Sequence, residues 1–204
     1  MLVVGLTGSI GMGKSTVAGM LRARAIPVFD ADAEVHRLYA GEAAPLIEAA
    51  FPGTTLNGAV DRARLAATLA DSAGRFRELE AIVHPRVTAA ERRFLKDAHE
   101  RGDPVAVLEI PLLLEVGRHL HVDAVVVVSA PADHQRARVL DRPGMTEARL
   151  EALLERQLPD AEKRRHADFV VDTGGTLADT EAQVDAILKA LPSRPAEAYE
   201  RHWR

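Results

Sequence analysis

The segment Gly8-Ser9-Ile10-Gly11-Met12-Gly13-Lys14-Ser15 has the spacing G-x-x-x-x-G-K-[ST]. These residue types at this spacing suit the phosphates of a nucleoside triphosphate. Glycines let the backbone curl until its N–H groups converge on phosphate oxygens, and a helix starting at the lysine adds the positive end of its dipole. Lys14 supplies a mobile cation and Ser15 a hydroxyl for Mg2+. The pattern needs a strand before it and a helix after it. Leu2-Val3-Val4-Gly5-Leu6 reads as the strand, and Thr16 through Leu21 as helix, with Val17, Met20 and Leu21 on one face. The expected contacts to ATP are therefore Gly8, Gly11, Met12, Gly13, Lys14, Ser15 and Thr16.

Other candidates follow along the chain. Phosphoryl transfer needs a carboxylate that orients the acceptor hydroxyl and takes its proton, and Asp30-Ala31-Asp32 offers one where a second strand ends. Asp32 is also suited to capping the helix that starts there; both roles stay open, and the upstream phosphate loop favours the first. Glu109 ends a central strand and could hold Mg2+ through water. Arg138 and Arg142 are spaced i, i+4, so on a helix both reach from one face and could clamp a transferring phosphate; a solvated charged face is the plainer alternative. His84-Pro85-Arg86 reads as a corner joining two helices, where His84 and Arg86 could meet a phosphorylated substrate, although a lone His is more often structural. Pro111-Leu112-Leu113-Leu114-Glu115 offers an apolar edge with Leu113 as the expected substrate contact, and core packing alone would also account for it. Asp172-Thr173-Gly174-Gly175 matches the D-x-x-G of GTP switches but falls too late in the chain, and no N-K-x-D occurs. A regulatory GTPase is disfavoured, and Thr173 with Gly174 is expected to pass beside the nucleotide base.

These residues need a scaffold. Five apolar runs read as strands: Leu2 to Leu6, Ile26 to Phe29, Val105 to Ile110, Ala124 to Val128 and Phe169 to Val171. Helical patterns between them predict an α/β fold with a five-stranded parallel sheet flanked by helices, and ligands on such sheets sit at the carboxyl ends of the strands. Residues 1–32, 105–129 and 168–191 are the expected nucleotide-binding core. Residues 33–104 form a mostly helical insertion for the acceptor, interrupted by a loop at Phe51 to Gly58, with its last helix starting near Pro85. Residues 130–167, two helical patterns about Pro143-Gly144 with Thr146 as N-cap, read as a basic lid. Residues 192–204 are a peripheral tail, in which Trp203 is a packing anchor. There is no internal repeat.

Composition narrows the class. The chain has 204 residues, 47% hydrophobic, enough for one α/β domain with insertions. A formal net charge of −4 supplies no overall positive field for nucleic acid. The absence of Cys excludes a disulfide framework and thiolate metal sites. The apolar run Ala124 to Val128 is far short of a membrane span, which needs roughly 20 residues. The opening Met1-Leu2-Val3-Val4-Gly5 lacks the basic region of a signal peptide, so a cytoplasmic location is expected, and we read the chain as a monomer.

Taken in order, Gly5-Leu6-Thr7-Gly8, Gly11 to Thr16, Asp30-Ala31-Asp32, His84-Pro85, Pro111 to Glu115, and Arg138-Val139-Leu140 through Arg142 resemble the dephospho-coenzyme A kinase family, within the P-loop kinases, from Gly5 to about Leu188. The resemblance implies transfer of the ATP γ-phosphate to the ribose 3′-hydroxyl of dephospho-CoA. It implies Asp32 as the base, Lys14 and Ser15 on triphosphate and Mg2+, Arg138 and Arg142 as lid arginines, and His84 and Arg86 near the substrate. Two positions depart from the family pattern: Ser9 where Gly is common, tolerable if its side chain points outward, and Thr173 where Asn is frequent. A nucleoside or nucleotide kinase of the same fold is the alternative enzyme, and a non-catalytic ATP-binding module the alternative from another class.

Overall fold

Strands that are apolar at every position need cover on both faces. In the computed structural model, which describes residues 1–70 and 73–204, they form one five-stranded sheet. In chain order the elements begin β1 (Leu2–Thr7), α1 (Lys14–Ala23), β2 (Val28–Asp30), α2 (Ala31–Tyr39), α3 (Ala44–Ala50), β3 (Thr55–Leu56), β4 (Ala59–Val60) and α4 (Arg62–Leu69). There follow α5 (Ala73–Glu100), β5 (Val105–Glu109), β6 (Ala124–Ser129), α6 (Ala132–Leu140), α7 (Glu147–Leu154), α8 (Asp160–Arg165), β7 (Phe169–Asp172) and α9 (Leu177–Ala190). The chain divides into two compact units, residues 1–29 with 95–204, and residues 30–94.

In the first unit the strand order is β2-β5-β1-β6-β7. β1 runs parallel to both β5 and β6, and β6 to β7, so Thr7, Glu109, Ser129 and Asp172 end their strands along one edge. Every residue of β1, β5 and β6 is buried. Val17, Met20 and Leu21 of α1 and Val184 of α9 share one core with Val4, Leu6, Val107 and Val126. All five expected strands are present. The second strand is shorter than expected, beginning at Val28.

The end of the chain is packed, not peripheral. Tyr199 and Trp203 are buried, and the Trp203 indole donates to the His121 carbonyl at 2.8 Å. Asp123 ties this segment to the sheet: one carboxylate oxygen accepts from Val3 N at 2.8 Å, the other from Glu197 N at 2.8 Å and Ala198 N at 2.7 Å.

In the second unit, α5 is a single 28-residue helix with Pro85 inside it. The expected corner at His84-Pro85-Arg86 is absent. Proline removes one helical hydrogen bond, to the Ala81 carbonyl, and costs about 3 kcal/mol. Leu79 and Val83 are buried, and Ile82 and Val87 partly buried, in one cluster with Leu38, Ile47, Phe51 and Leu65. Each such side chain contributes about 1.5–3 kcal/mol on full burial, so the apolar stripe on both sides of the proline outweighs the lost bond. The loop expected at Phe51 to Gly58 also holds structure: β3 pairs antiparallel with β4 through Asn57 and Gly58, both at positive φ, the turn that best matches strand twist. Glu48 fastens this hairpin, accepting from Gly53 N, Thr55 N and the Thr55 hydroxyl. Those bonds, the one from Gly53 foremost, hold its carboxyl below the usual carboxylate range. The short helices α3, α4 and α8 fall outside the helical patterns that the sequence shows; α3 and α8 are no longer than two turns. Among the described residues no helix is long and apolar enough to cross a membrane.

Two tests follow from the packed terminus. Asp123→Ala strips a charged acceptor from three amides, and the free energy of chemical denaturation should fall by about 2–3 kcal/mol. The His121 ring is held below its ordinary pKa by burial first, then by His202, Arg118 and His119. With its folded pKa depressed, the unfolded chain takes up the proton first. Stability is therefore full above about pH 6.5 and is lost as pH falls through the folded value. Urea titrations between about pH 5.5 and 7.5 should show this slope, and His121→Gln should flatten it.

Candidate active site

The loop between β1 and α1 is shaped by close approach. A Cβ on Gly8 would lie 2.6 Å from the Val128 carbonyl oxygen, a backbone atom that cannot yield. Gly11 sits at φ +78°, and a Cβ there would meet Val139 Cγ2 at 2.5 Å, so only glycine lets α6 pack against the loop. α1 then starts at Lys14 with no side-chain cap and no acidic residue in its first turn. Uncapped N–H groups and the helix dipole together make an anion-binding end. Ser15 and Thr16 are exposed there. Met12 is buried; its N–H donates to Ser9 O at 3.2 Å and its sulfur accepts from Ala130 N at 3.1 Å. Ser9 is also buried, and its carbonyl accepts from Met12 N.

Lys14 Nζ lies 2.7 Å from Glu109 Oε1, and Arg22 Nη2 lies 3.4 Å from Glu109 Oε2. Glu109 is 2% exposed. A carboxylate that deep needs compensation, and two cations for one anion leave a local excess of positive charge beside the loop. Sequence reasoning missed Arg22. Its position eight residues after Lys14, two turns along α1, was the signal available.

Arg138 does not hang free from a lid. Its guanidinium donates to Thr173 Oγ1 at 2.9 Å and to the Thr173 carbonyl at 2.6 Å, and lies 3.5 Å from the Gly11 carbonyl. Thr173 is buried and in turn donates its hydroxyl to the Met12 carbonyl at 2.7 Å. Arg138 thus joins α6, the phosphate loop and the end of β7. The helical pairing with Arg142 fails because α6 ends at Leu140: residue 143 is proline, which disfavours helical geometry at the residue before it. Arg142 is exposed in the turn that follows. Gly174 donates its N–H to Asp172 Oδ1 at 2.7 Å. Leu113 presents no apolar edge; it is 0% exposed and packs on Gly5, where a Cβ would meet Leu113 Cδ2 at 2.6 Å. Leu112 and Val116 are the exposed apolar residues of that stretch.

In the second unit the two aspartates divide their labour. Asp30 is the N-cap of α2, its Oδ1 accepting from Ala33 N at 2.9 Å, and Asp32 lies in the first turn with an exposed side chain. The cap is Asp30, which leaves the Asp32 carboxylate for other work. His84 is exposed within α5, and Arg86 bends back to donate to the Ile82 carbonyl at 2.6 Å. Residues two apart on a continuous helix project to different faces, so α5 does not bring His84 and Arg86 together.

A family model for dephospho-CoA kinase matches residues 2–179. The chain belongs to the dephospho-CoA kinase family. A dephospho-CoA kinase of Rhodopseudomonas palustris is 56% identical over 195 residues, 96% of this chain and 98% of the relative. The crystal structure of TT1252 from Thermus thermophilus is similar at 36% identity with a TM-score of 0.80, covering 93% of this chain and 97% of that one. A dephospho-CoA kinase from Campylobacter jejuni shares the fold at a TM-score of 0.70 and 22% identity, covering 93% and 96%.

For this dephospho-CoA kinase family member, Thr173 is the departure whose effect the structure defines. Its single hydroxyl both donates to Met12 O and accepts from Arg138. Thr173→Val keeps the shape and deletes both bonds, leaving a buried carbonyl and part of a guanidinium unsatisfied. Chemical denaturation should show a loss of about 1–3 kcal/mol, with Thr173→Ser retaining most of the stability.

Proposed function

We propose that this protein transfers the γ-phosphate of ATP to the ribose 3′-hydroxyl of dephospho-CoA, giving CoA and ADP, the last step of coenzyme A synthesis. The observation that carries the reading is the uncapped, acid-free start of α1 behind a glycine loop, in a chain of the dephospho-CoA kinase family. The N–H groups at that helix end receive phosphate oxygens. Lys14 turns from Glu109 to the β- and γ-phosphates, and Glu109 stays paired with Arg22, so its buried charge is never left alone. Asp32 accepts the proton of the 3′-hydroxyl as its oxygen bonds to the γ-phosphorus and the bond from that phosphorus to the ADP oxygen breaks. Arg142, exposed beyond α6, adds positive charge for the transferring group, and Arg138 holds the loop in place. Thr173 and Gly174 border the adenine. In the acceptor segment, residues 33–104, His84 and Arg86 serve dephospho-CoA through separate faces of α5. Residues 130–167 act as the lid over a core of residues 1–32, 105–129 and 168–191.

The donor set fits Mg2+. Among the described residues no group of three or more His, Asp or Glu could hold a metal ion by itself. Magnesium bound with a nucleotide needs only one or two protein donors beside phosphates and water. The Ser15 hydroxyl would bind it directly and Glu109 through water, and the ion would neutralise charge on the β- and γ-oxygens.

Purified protein with Mg-ATP should convert dephospho-CoA to CoA, followed by chromatography of the product. Lys14→Ala and Asp32→Asn should each lower kcat/KM by about 100-fold or more while circular dichroism stays unchanged. Phosphorylation of nucleosides or nucleoside monophosphates, with none of dephospho-CoA, would overturn the assignment.

A further inference from the structure

One residue of the phosphate loop has both its backbone polar groups taken by side chains of the lid segment. Ile10 N–H donates to Gln157 Oε1 at 3.1 Å, and the Ile10 carbonyl accepts from Gln135 Nε2 at 2.8 Å. The two glutamines come from different places, Gln135 from α6 and Gln157 from the corner between α7 and α8. We propose that Gln135 and Gln157 are positioning residues for phosphoryl transfer, a pair of amides that hold the tip of the phosphate loop in the conformation that receives ATP. The inference rests on the reading that this loop binds ATP.

Three observations support the pair. Gln135 is buried, and a buried amide group is retained where both it and its partner are satisfied. The corner carrying Gln157 is itself fixed. Leu158 N donates to Glu115 Oε1 at 2.8 Å, and the same oxygen lies 2.7 Å from Lys163 Nζ. Lys163 is 0% exposed, a cation buried outright and placed so that the Glu115 carboxylate can anchor the chain beside Gln157. Finally, the direction of each bond is set by the backbone. An N–H can only donate and a carbonyl can only accept, so residue 157 must present an acceptor and residue 135 a donor, whichever way the amides are drawn. A local packing role would place no such opposite demands on two glutamines.

That asymmetry makes the test chemical. A glutamate still accepts, but at neutral pH it cannot donate. Gln157→Glu should therefore keep slow hydrogen exchange at the Ile10 amide, where Gln157→Leu loses it. Gln135→Glu and Gln135→Leu should both loosen the loop, seen as faster exchange over residues 8–13. Calorimetric Kd for Mg-ATP should rise about tenfold in Gln135→Leu and in Gln157→Leu, the equivalent of one or two ordinary hydrogen bonds. KM for dephospho-CoA should change little, and the melting temperature should fall by no more than about 4 °C, the shift expected for one lost hydrogen bond. If both leucine variants bind ATP within about twofold of the parent, or if ATP and dephospho-CoA constants worsen together with the melting temperature, the residues only stabilise the fold and the proposal fails. Exchange and calorimetry need no acceptor. A parent protein that binds ATP but leaves dephospho-CoA unphosphorylated would sink the assigned reaction and not the glutamine pair.

Discussion

A loop that binds phosphate through N–H groups must leave some of them free for the ligand, yet it must be held in one conformation before the ligand arrives, because ordering it on binding lowers affinity. Here the holding is done mostly from the other side of the peptide. The carbonyls of Ser9, Ile10, Gly11 and Met12 face, in turn, Met12 N, the Gln135 amide, the Arg138 guanidinium and the Thr173 hydroxyl. Three of the four partners are side chains from α6 and from the end of β7. Gly8 and Gly11 allow this by letting Val128 and Val139 come within van der Waals contact of the loop.

Charge is arranged with the same economy. Glu109 and Glu115 are carboxylates of little exposure, and each has a lysine within 2.7 Å. The two pairs differ in what surrounds them. Lys163 is sealed in the interior and serves only to anchor. Lys14 is partly exposed at the start of α1, and Arg22 shares its carboxylate. A lysine whose counter-ion has a second partner can leave for a phosphate at small cost, which a lone buried pair could not permit.

The second unit shows tertiary burial deciding against local preference. Pro85 signals a helix boundary on propensity alone, yet α5 runs through it because Leu79, Ile82, Val83 and Val87 continue one apolar stripe into the core. The two aspartates at the start of α2 show the reverse, since local capping geometry settles their roles. Asp30 stands three residues before Ala33 and takes its N–H. Asp32 is left with no part in the cap, and its side chain is exposed.

The phosphate loop, the five strands and the Thr146 cap were legible in the amino-acid order, because each depends on neighbours in sequence or on a short hydrophobic period. The motifs in their order also pointed to the family that the comparisons identify. What the order of residues left open was which partner a polar or apolar group would meet across the fold. Arg138 read as a lid cation until the fold brought Thr173, 35 positions away, against it. Leu113 read as an edge until it packed on Gly5, and Arg22 had no reason to matter until β5 delivered Glu109, 87 positions away. Local spacing determines helices, caps and phosphate loops, since their hydrogen bonds close within a few residues. Which side chains hold such a loop is decided only when parallel strands, separated by whole helices, bring their ends to one edge.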